Sequence, residues 1–263
     1  MNIQEALALG HKGVISIVGA GGKTSLMYAL ARELAAAGRR VLTTTTTRII
    51  APTPEQSPAA IVHRTAEEIV EKAELLLDKY YHLTAASEYL EGSNKLKGLE
   101  PSAIQYIVQS DLFDFIVIEA DGAARRSLKA CAPHEPVVPT FSDRVVAMAG
   151  LDVVAKPLSE EWVFRSTIFS RNTGLEPLQE ITEASIASAI IHDMASVSVT
   201  GEKAMKIAFL NKADNLKAIL AGERIAAFIE KSGSTVFHRT VIGELRADPL
   251  IHRCNAVQKR RNR

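Results

Sequence analysis

Ile17-Val18-Gly19-Ala20-Gly21-Gly22-Lys23-Thr24-Ser25 is the most informative segment of this chain. It joins an apolar run at residues 14–18 to a helical pattern that begins near Lys23. A strand, a glycine-rich turn and a helix that opens with Gly-Lys-Thr is the order of elements in a phosphate-binding loop. The glycines would turn backbone N–H groups toward phosphate oxygens. The first turn of the helix adds unpaired N–H groups and the positive end of the helix dipole.

The roles within this loop follow from its chemistry. Lys23 would reach the β- and γ-phosphates of a nucleotide, and the Thr24 hydroxyl would bind Mg²⁺. The full pattern has glycine six positions before the lysine, where this chain has Ile17. We therefore expect a shortened or differently bent loop, with an ordinary glycine-rich turn as the alternative. The residues predicted to contact the nucleotide here are Gly19, Ala20, Gly21, Gly22, Lys23, Thr24 and Ser25.

The composition fits one large globular domain with an ample core. The chain has 263 residues, of which 47% are hydrophobic and 23% are charged. A net charge of +1 gives no global field that would attract nucleic acid or an acidic membrane. Two cysteines are too few for a disulfide framework, and no apolar run reaches membrane-spanning length. Since the amino-terminal residues also lack the layout of a secretory signal, we predict a cytoplasmic protein that binds neither nucleic acid nor membrane.

Strands and helices alternate along the chain, which predicts an α/β fold. We expect a mostly parallel sheet flanked by helices, as in P-loop NTPases, in a single domain over residues 1–263. The alternation breaks at about 123–172, which we interpret as an irregular insertion lobe, and a basic tail follows at about 256–263. The predicted strands are 14–18, 40–44, 59–63, 81–87, 113–118, 206–210 and 235–239. The predicted helices are 25–37, 65–80, 101–110, 181–194 and a last one that ends near Lys231, with a loop at 91–100.

Glu119-Ala120-Asp121-Gly122 follows a near-continuous apolar run that is typical of a central parallel strand. An acidic residue at the end of such a strand, with glycine three positions on, resembles the nucleotide-sensing segment after a Walker B strand. A carboxylate here would hold Mg²⁺ directly or through water, and Gly122 would offer its N–H to the γ-phosphate. Spacing does not choose between Glu119 and Asp121, so both are candidate metal-binding residues. Both are also candidate catalytic residues, together with Lys23. A strand that merely ends in polar residues is the alternative.

Asn211-Lys212-Ala213-Asp214 fits the guanine-recognition pattern Asn-Lys-x-Asp after a predicted strand. Asp214 would accept hydrogen bonds from guanine N1–H and N2–H₂, a pair that adenine does not supply. Asn211 would order the pocket, and the methylene stem of Lys212 would pack on the base. The pattern favours GTP as the cofactor, with ATP as the alternative. The competing interpretation is a helix start that is capped by Asp214.

Residues 43–47 are five consecutive threonines at the carboxyl end of the second predicted strand. Ligands of open α/β sheets bind at this edge. One hydroxyl, for which Thr45 is the candidate, would complete the Mg²⁺ shell or contact the γ-phosphate. Plain strand propensity also accounts for such a run.

Three residues after the acidic motif have side chains that could bind a ligand or react, and the sequence does not fix their roles. His134 and Glu135 are candidate substrate or metal ligands, or a structural pair in a proline-rich turn. Cys131 has no spaced partner for a metal site, so we expect a small packed residue.

Taken together, these segments resemble the YqeC family of accessory proteins for selenium-dependent molybdenum hydroxylases. The segments that carry the resemblance are Val18-Gly19-Ala20-Gly21-Gly22-Lys23-Thr24-Ser25, Leu42-Thr43-Thr44-Thr45-Thr46-Thr47-Arg48-Ile49, Lys95-Leu96-Lys97-Gly98-Leu99, Glu119-Ala120-Asp121-Gly122, Leu128-Lys129-Ala130, His134-Glu135-Pro136 and Leu210-Asn211-Lys212-Ala213-Asp214. The chain departs from the family pattern at Ala123-Ala124 and at Cys131. The resemblance implies a role in maturing those hydroxylases, with a hydroxylase or its maturation factors as partner. The Glu-x-x-Gly ending is also similar to GTPases that deliver nickel to hydrogenase and urease, which is an analogy of fold.

Three functions fit these observations. The first is a GTP-dependent maturation factor that binds GTP with Mg²⁺, changes conformation and hydrolyses the nucleotide. The second is a P-loop kinase for a small anionic metabolite, with Arg125, Arg126, Lys129 and His134 near the acceptor. The third is a nucleotide-regulated binding module without turnover. The Asn-Lys-x-Asp pattern favours the first over the second.

Overall fold

A nine-stranded sheet forms the centre of the molecule. The computed structural model describes residues 1–201, 204–246, 248 and 250–257. Its strands are β1 (Gly13–Gly19), β2 (Val41–Thr45), β3 (Arg48–Ile50), β4 (Ala60–Val62), β5 (His82–Ala86), β6 (Glu88–Leu90), β7 (Lys95–Lys97), β8 (Phe115–Glu119), β9 (Leu128–Lys129), β10 (Arg144–Gly150), β11 (Val163–Phe164), β12 (Met205–Asn211), β13 (Arg239–Glu244) and β14 (Leu250–Ala256). Its α-helices are α1 (Ile3–Ala6), α2 (Lys23–Ala36), α3 (Ala66–Leu77), α4 (Pro101–Gln109), α5 (Ser166–Thr173), α6 (Glu183–Ala195) and α7 (Leu216–Lys231).

The large sheet is parallel except at one edge. Its strand order is β14-β13-β12-β10-β1-β8-β2-β5-β4, and only the edge strand β14 runs antiparallel to its described neighbour. Strands β2, β5 and β8 are buried at every position, which explains why they appear in the sequence as apolar or threonine-rich runs without alternation. The predicted α/β fold, a mostly parallel sheet flanked by helices, is confirmed.

The central position of β1 creates the crevice in which a ligand would bind. Strand β1 lies between β8 and β10, and the chain fills one side of β1 through β8 before it crosses to the other side with β10. Such a reversal opens a crevice at the carboxyl ends of the strands. The register aligns Ile17 with Glu119 and Val146, and it aligns Gly150 with Asn211. The glycine-rich loop, the acidic motif and the Asn-Lys-x-Asp segment therefore begin at the same edge.

Each face of the sheet has its own apolar core. Ile15 and Ile17 of β1 pack with Leu30 of α2 on one face. Val14 and Val18 point to the other face, where the core includes residues of α3, α4, α6 and α7. Both faces of β1 are thus fixed by packing, which holds the loop that follows it in one position.

A small antiparallel sheet of β3, β7 and β6 covers the end of β2. The Gly98 N–H donates to the Thr47 carbonyl at 2.8 Å, and the Leu99 N–H donates to the Thr45 carbonyl at 2.8 Å. A Cβ on Gly98 would lie 2.1 Å from the Thr45 carbonyl oxygen, so this close approach requires glycine. The prediction of a loop at 91–100 is wrong at β7, because three residues are too few for periodicity to indicate a strand.

The predicted insertion lobe is divided by a central strand. Strand β10 lies within residues 123–172, and it pairs with β1 on one side and β12 on the other. The prediction of an irregular insertion lobe at about 123–172 is therefore wrong at this strand. The irregular segments are 123–143 and 151–165, apart from the two-residue strands β9 and β11 and a 3-10 helix at Leu151–Val153.

The carboxyl-terminal predictions are also displaced. The last predicted strand, 235–239, meets β13 only at Arg239, and β14 follows as an edge strand that the sequence did not indicate. The predicted tail begins at Ala256, the last residue of β14, and residues 258–263 lie outside the described part of the chain. None of the helices in the described ranges is long and apolar enough to cross a membrane.

Candidate functional site

The loop between β1 and α2 can form only with glycine at its bends. Gly19, Gly21 and Gly22 have φ values of 86°, 84° and 131°, a region that favours glycine. A Cβ on Gly19 would lie 2.3 Å from the Met148 carbonyl oxygen, and one on Gly21 would lie 2.4 Å from the Gly150 amide nitrogen. The loop is short because Ile17 is still within the strand, as the missing first glycine suggested.

The loop offers fewer free amides than the sequence predicts. The N–H groups of Gly19, Ala20 and Gly21 donate to Asp121 Oδ2, the Met148 carbonyl and the Arg126 carbonyl, respectively. In this conformation those three amides do not support the predicted contacts with phosphate. Helix α2 begins at Lys23, and its N-cap Gly22 supplies no side chain to its first turn. The open end of a 14-residue helix therefore faces the crevice, where it favours an anion.

Lys23 is buried and bonded to groups of the protein. Its Nζ donates to the Gly19 carbonyl at 2.7 Å, and it lies 3.1 Å from Asp121 Oδ1 and 3.8 Å from Glu119 Oε1. A phosphate that binds Lys23 must therefore compete with two carboxylates.

Glu119 faces the crevice beside Thr24. The Thr24 hydroxyl donates to Glu119 Oε2 at 2.6 Å, and both residues line the cleft. Burial raises the pKa of Glu119, while the neighbouring Lys23 ammonium and the Thr24 hydroxyl oppose that shift. A hydroxyl and a carboxylate are oxygen ligands of the kind that Mg²⁺ prefers. Within the described residues no group of three or more His, Cys, Asp or Glu side chains is placed to hold a metal, so phosphate oxygens and water would complete the shell.

Asp121 lies beneath the loop, and its side chain has no exposed surface. It accepts hydrogen bonds from the Gly19 N–H and from Lys129 Nζ, both at 2.9 Å. Burial would lower the pKa of Lys129, but the Asp121 charge and the hydrogen bond to Glu135 outweigh burial and raise it. The prediction left Glu119 and Asp121 open as metal ligands. The geometry favours Glu119 and does not support Asp121.

The predicted metal ligand Thr45 is directed elsewhere. Its hydroxyl donates to the Glu119 carbonyl at 2.6 Å and accepts from the Thr47 N–H at 3.0 Å. Thr45 is fully buried and does not line the cleft. The prediction that it binds Mg²⁺ is therefore not supported. Its hydroxyl instead fixes the end of β2 against β8.

Within the Asn-Lys-x-Asp segment, Asn211 contacts the glycine-rich loop and Lys212 lines the cleft. Asn211 Nδ2 donates to the Gly21 carbonyl at 2.7 Å, and a Cβ on Gly22 would lie 2.3 Å from the same nitrogen. Lys212 has a φ of 66° and lines the cleft. Its Nζ donates to Asp152 Oδ2 at 2.7 Å.

The third residue, Asp214, lies outside the cleft lining. Its Oδ2 accepts a hydrogen bond from Arg246 at 2.6 Å. The helix that follows is capped by Asn215, whose side chain accepts from the Ala218 N–H. The alternative interpretation, in which Asp214 caps this helix, is therefore wrong, while the proposed contact with guanine requires Asp214 to leave Arg246.

The cleft has a volume of about 390 Å³, and its lining is strongly cationic. Glu119 is its only carboxylate among the described lining residues. The basic lining residues are Lys23, Arg48, Lys95, Arg125, Arg126 and Lys212. Gly122 and Ser25, two of the predicted nucleotide-binding residues, also line it. Next to Gly122, the backbone of Ala124 and Arg125 is left-handed, with φ values of 44° and 60°, which is a local strain of the kind found at functional sites.

Sequence reasoning missed two cationic residues of the cleft. Arg48 and Lys95 come from the small sheet, on β3 and β7. Both belong to segments that carry the family resemblance, and that placement of basic residues next to the threonine run was the available signal. Gly98 allows the small sheet to pack against the end of β2, and this packing brings both residues to the cleft.

Glu135 and Cys131, which follow the acidic motif, are structural in this conformation. Glu135 bonds with Lys129 at 2.8 Å and accepts two hydrogen bonds from Arg165. Burial raises the pKa of Glu135, but these hydrogen bonds outweigh it and lower the pKa to about 2. His134 is exposed. Burial, together with the neighbouring Asp193 carboxylate, raises the pKa of the Cys131 thiol, which is consistent with a packed residue and not with a reactive thiolate.

Comparison with known proteins identifies the family. The model of the family described as YqeC protein matches residues 15–167. A protein of Escherichia coli (strain K12), named "Uncharacterized protein YqeC", is 30% identical over 246 residues, which is 91% of this chain and 90% of that protein. The chain therefore belongs to the YqeC family, and the predicted resemblance is confirmed.

A solved structure gives a weaker likeness. It is a crystal structure of FtsY from Mycoplasma mycoides, with 9% sequence identity and a TM-score of 0.30, and the match covers 84% of this chain and 51% of that one. A TM-score of 0.30 is too low to establish a shared fold.

Proposed function

We propose that this member of the YqeC family binds a nucleoside triphosphate with Mg²⁺ and hydrolyses it, with GTP as the preferred nucleotide. The observation that carries the proposal is the 2.6 Å contact between the Thr24 hydroxyl and Glu119 at the open end of α2. Lys23 lies next to both residues, and the cleft in front of them is cationic. The same residues would therefore bind the phosphates and the metal.

The phosphates would bind at the first turn of α2. Its N–H groups have no capping side chain, and the positive end of the helix dipole adds to the charge of Lys23. Thr24 and Glu119 would each hold Mg²⁺ through an oxygen atom, and the Thr24 hydroxyl would keep its proton and turn it away from Glu119. The ion would also neutralise charge on the phosphates during hydrolysis.

The preference for GTP rests on the Asn-Lys-x-Asp segment. Asn211 holds the carbonyl of Gly21, and Lys212 lines the cleft, so two of the three residues are placed beside the loop. Asp214 would exchange the single hydrogen bond from Arg246 for two from the guanine edge.

Calorimetric titration with GTP and with ATP, each with and without Mg²⁺, tests the proposal. We expect binding that needs Mg²⁺ and favours GTP. Lys23→Ala should weaken it by more than tenfold, about 1.4 kcal/mol, because it removes a charge-assisted contact. Lys12→Ala is the matched control, since Lys12 makes only an exposed ion pair with Asp111. Equal affinity of a folded Lys23→Ala variant and the wild type would rule out the phosphate site.

We also propose a cytoplasmic role in the maturation of selenium-dependent molybdenum hydroxylases, which rests on the family resemblance alone. Cells that lack this chain should make hydroxylase with less selenium per molybdenum, measured by elemental analysis of the purified enzyme. The wild-type chain should restore the selenium content and Lys23→Ala should not. Restoration by Lys23→Ala would separate this role from nucleotide binding.

A second candidate function, phosphoryl transfer to a small anionic metabolite, is favoured by one observation. The side chains of Arg48, Lys95 and Arg125 line the cleft but make no hydrogen bond or ion pair with any described residue. They would suit an anionic acceptor beside the nucleotide. With γ-labelled GTP and a pool of small anionic metabolites, a kinase would label an organic product, a GTPase would release labelled phosphate, and a binding module would do neither.

A further inference from the structure

A chain of alternating charges runs from the glycine-rich loop to the start of α5. Asp121 lies between two lysines, with Oδ1 at 3.1 Å from Lys23 Nζ and Oδ2 at 2.9 Å from Lys129 Nζ. Lys129 Nζ then donates to Glu135 at 2.8 Å, and Glu135 is held by Arg165. Each inner member of the chain contacts two groups of opposite sign.

The centre of this chain is shielded from water. The side chain of Asp121 has 0% of its surface exposed, and that of Lys129 has 1%. Lys129 does not line the cleft, so it is not placed to bind a ligand there. The Lys129 ammonium also donates to the Gly122 carbonyl at 2.9 Å, which fixes its position below the loop. A buried carboxylate that loses its charge partner is strongly destabilised.

We infer that Lys129 is a positioning residue that makes Lys23 available to phosphate. The inference rests on the proposed function and deepens it. When Lys23 moves its ammonium to a phosphate, Asp121 loses one of its two cationic partners. Lys129 then remains as the counter-charge of Asp121, so that this carboxylate stays paired and keeps its hydrogen bond from the Gly19 N–H.

Without Lys129, Lys23 would be the sole cationic partner of Asp121. Release of Lys23 to a phosphate would leave a buried, unpaired carboxylate under the loop. The variant chain would therefore hold Lys23 on Asp121 and bind the nucleotide weakly. Glu135 and Arg165 balance the charge of Lys129 itself, which explains why an ammonium can stay at this depth.

The test compares variants of Lys129 by calorimetric titration with GTP and Mg²⁺. Lys129→Met should weaken GTP binding more than tenfold, and Lys129→Arg should retain most of it. Asp121→Asn combined with Lys129→Met should recover affinity, because the amide needs no counter-charge while its oxygen still accepts from the Gly19 N–H. A merely structural role predicts that all of these variants, once folded, bind GTP with equal affinity. Lys206→Met is the control, since Lys206 is a partly buried lysine that bonds only to carbonyls outside the site.

The outcomes distinguish a failure of the Lys129 inference from a failure of the proposed nucleotide binding. If the wild type binds GTP but Lys129→Met binds within twofold of it, the role of Lys129 is wrong and the nucleotide site stands. The same conclusion follows if the double variant binds no better than Lys129→Met. If Lys129→Met does not fold, the double variant and Lys129→Arg decide, and weak binding by both overturns the inference. A wild type that binds neither GTP nor ATP overturns the proposed function and this inference with it.

Discussion

Glu119 and Asp121 are two residues apart, yet their surroundings differ. Glu119 opens onto the cleft beside the Thr24 hydroxyl, while Asp121 is enclosed between two lysines and the loop backbone. The alternation of side chains along a strand does not distinguish them, because residues two positions apart lie on the same face. What separates them is the loop and β9, whose Gly19 N–H and Lys129 ammonium both donate to Asp121. Spacing in the sequence therefore does not distinguish Glu119 from Asp121 as the metal ligand, whereas their packing favours Glu119.

For Glu119, we predict that Glu119→Gln abolishes hydrolysis and raises the melting temperature at neutral pH. Burial raises the pKa of Glu119, so the folded state favours its neutral form. A raised pKa means that this group's contribution to stability is present at low pH and is lost as pH rises through the folded-state pKa. Glutamine is neutral at every pH, so the Glu119→Gln variant does not lose this stability as pH rises. The substitution also removes the charge that would hold Mg²⁺. Thermal unfolding at several pH values and phosphate-release assays measure the two effects.

Asp121→Asn serves as the comparison for Glu119→Gln and should have the opposite effect on stability. It leaves two buried lysines without their shared carboxylate, which should lower the free energy of unfolding by about 3–5 kcal/mol. Denaturant titration measures this loss. Unchanged hydrolysis in both folded variants would show that the acidic motif is only a strand end, and catalysis would then have to lie with the threonine run or the segment after Gly122.

Base selection is predicted to depend on Asp214. Asp214→Asn should weaken GTP binding and improve binding of xanthosine triphosphate, because the changed donor pattern suits xanthine. Arg246→Ala should not weaken GTP binding, since Arg246 occupies the carboxylate that the base would use. Displacement assays with GTP, ATP and xanthosine triphosphate give the ranking. Equal affinity of the wild type for ATP and GTP would exclude guanine recognition.

At the scale of elements, the sequence predicted strands with local signals and missed those that depend on pairing. Strand β8 is five apolar or acidic residues buried throughout, so its composition is enough. The run 144–150 also has strand character, but its place between β1 and β12 depends on contacts with distant residues. The site followed the same rule. Lys23 and Thr24 were predictable from a local motif, whereas Arg48 and Lys95 reach the cleft through the docking of a separate small sheet.

The packing of the small sheet against β2 depends on Gly98. Gly98→Ala should lower the free energy of unfolding by about 1–3 kcal/mol, because its Cβ would lie 2.1 Å from the Thr45 carbonyl oxygen. It should also weaken nucleotide binding, as it moves β7 and Lys95 away from the cleft. Gly10→Ala is the matched control, since its Cβ would meet no atom within 4 Å. Equal melting temperatures for the two variants would show that the small sheet is not held at this point.

At the scale of the whole molecule, we propose that residues 1–263 form a single domain. Strand β10 joins the two halves of the large sheet, and it lies inside the segment 123–172 that the sequence predicts to be an insertion lobe. Residues from both sides of that strand enter one apolar core, including Leu128 and Val163. The irregular segments therefore have no core of their own that would allow them to fold alone.

Trp162 makes this single-domain proposal testable, because it is the only tryptophan of the chain and lies in the irregular segment after β10. It packs against the core of the large sheet, with the Lys156 ammonium 4.9 Å from its ring centroid. We predict that unfolding followed by tryptophan fluorescence and by far-ultraviolet circular dichroism gives coincident transitions. A separate lobe would lose its fluorescence signal first. GTP with Mg²⁺ should shift both transitions upward by the same amount, because a ligand that binds only the folded state stabilises every part that unfolds with its site. A shift confined to the dichroism transition would place Trp162 and its segment outside the unit that holds the nucleotide.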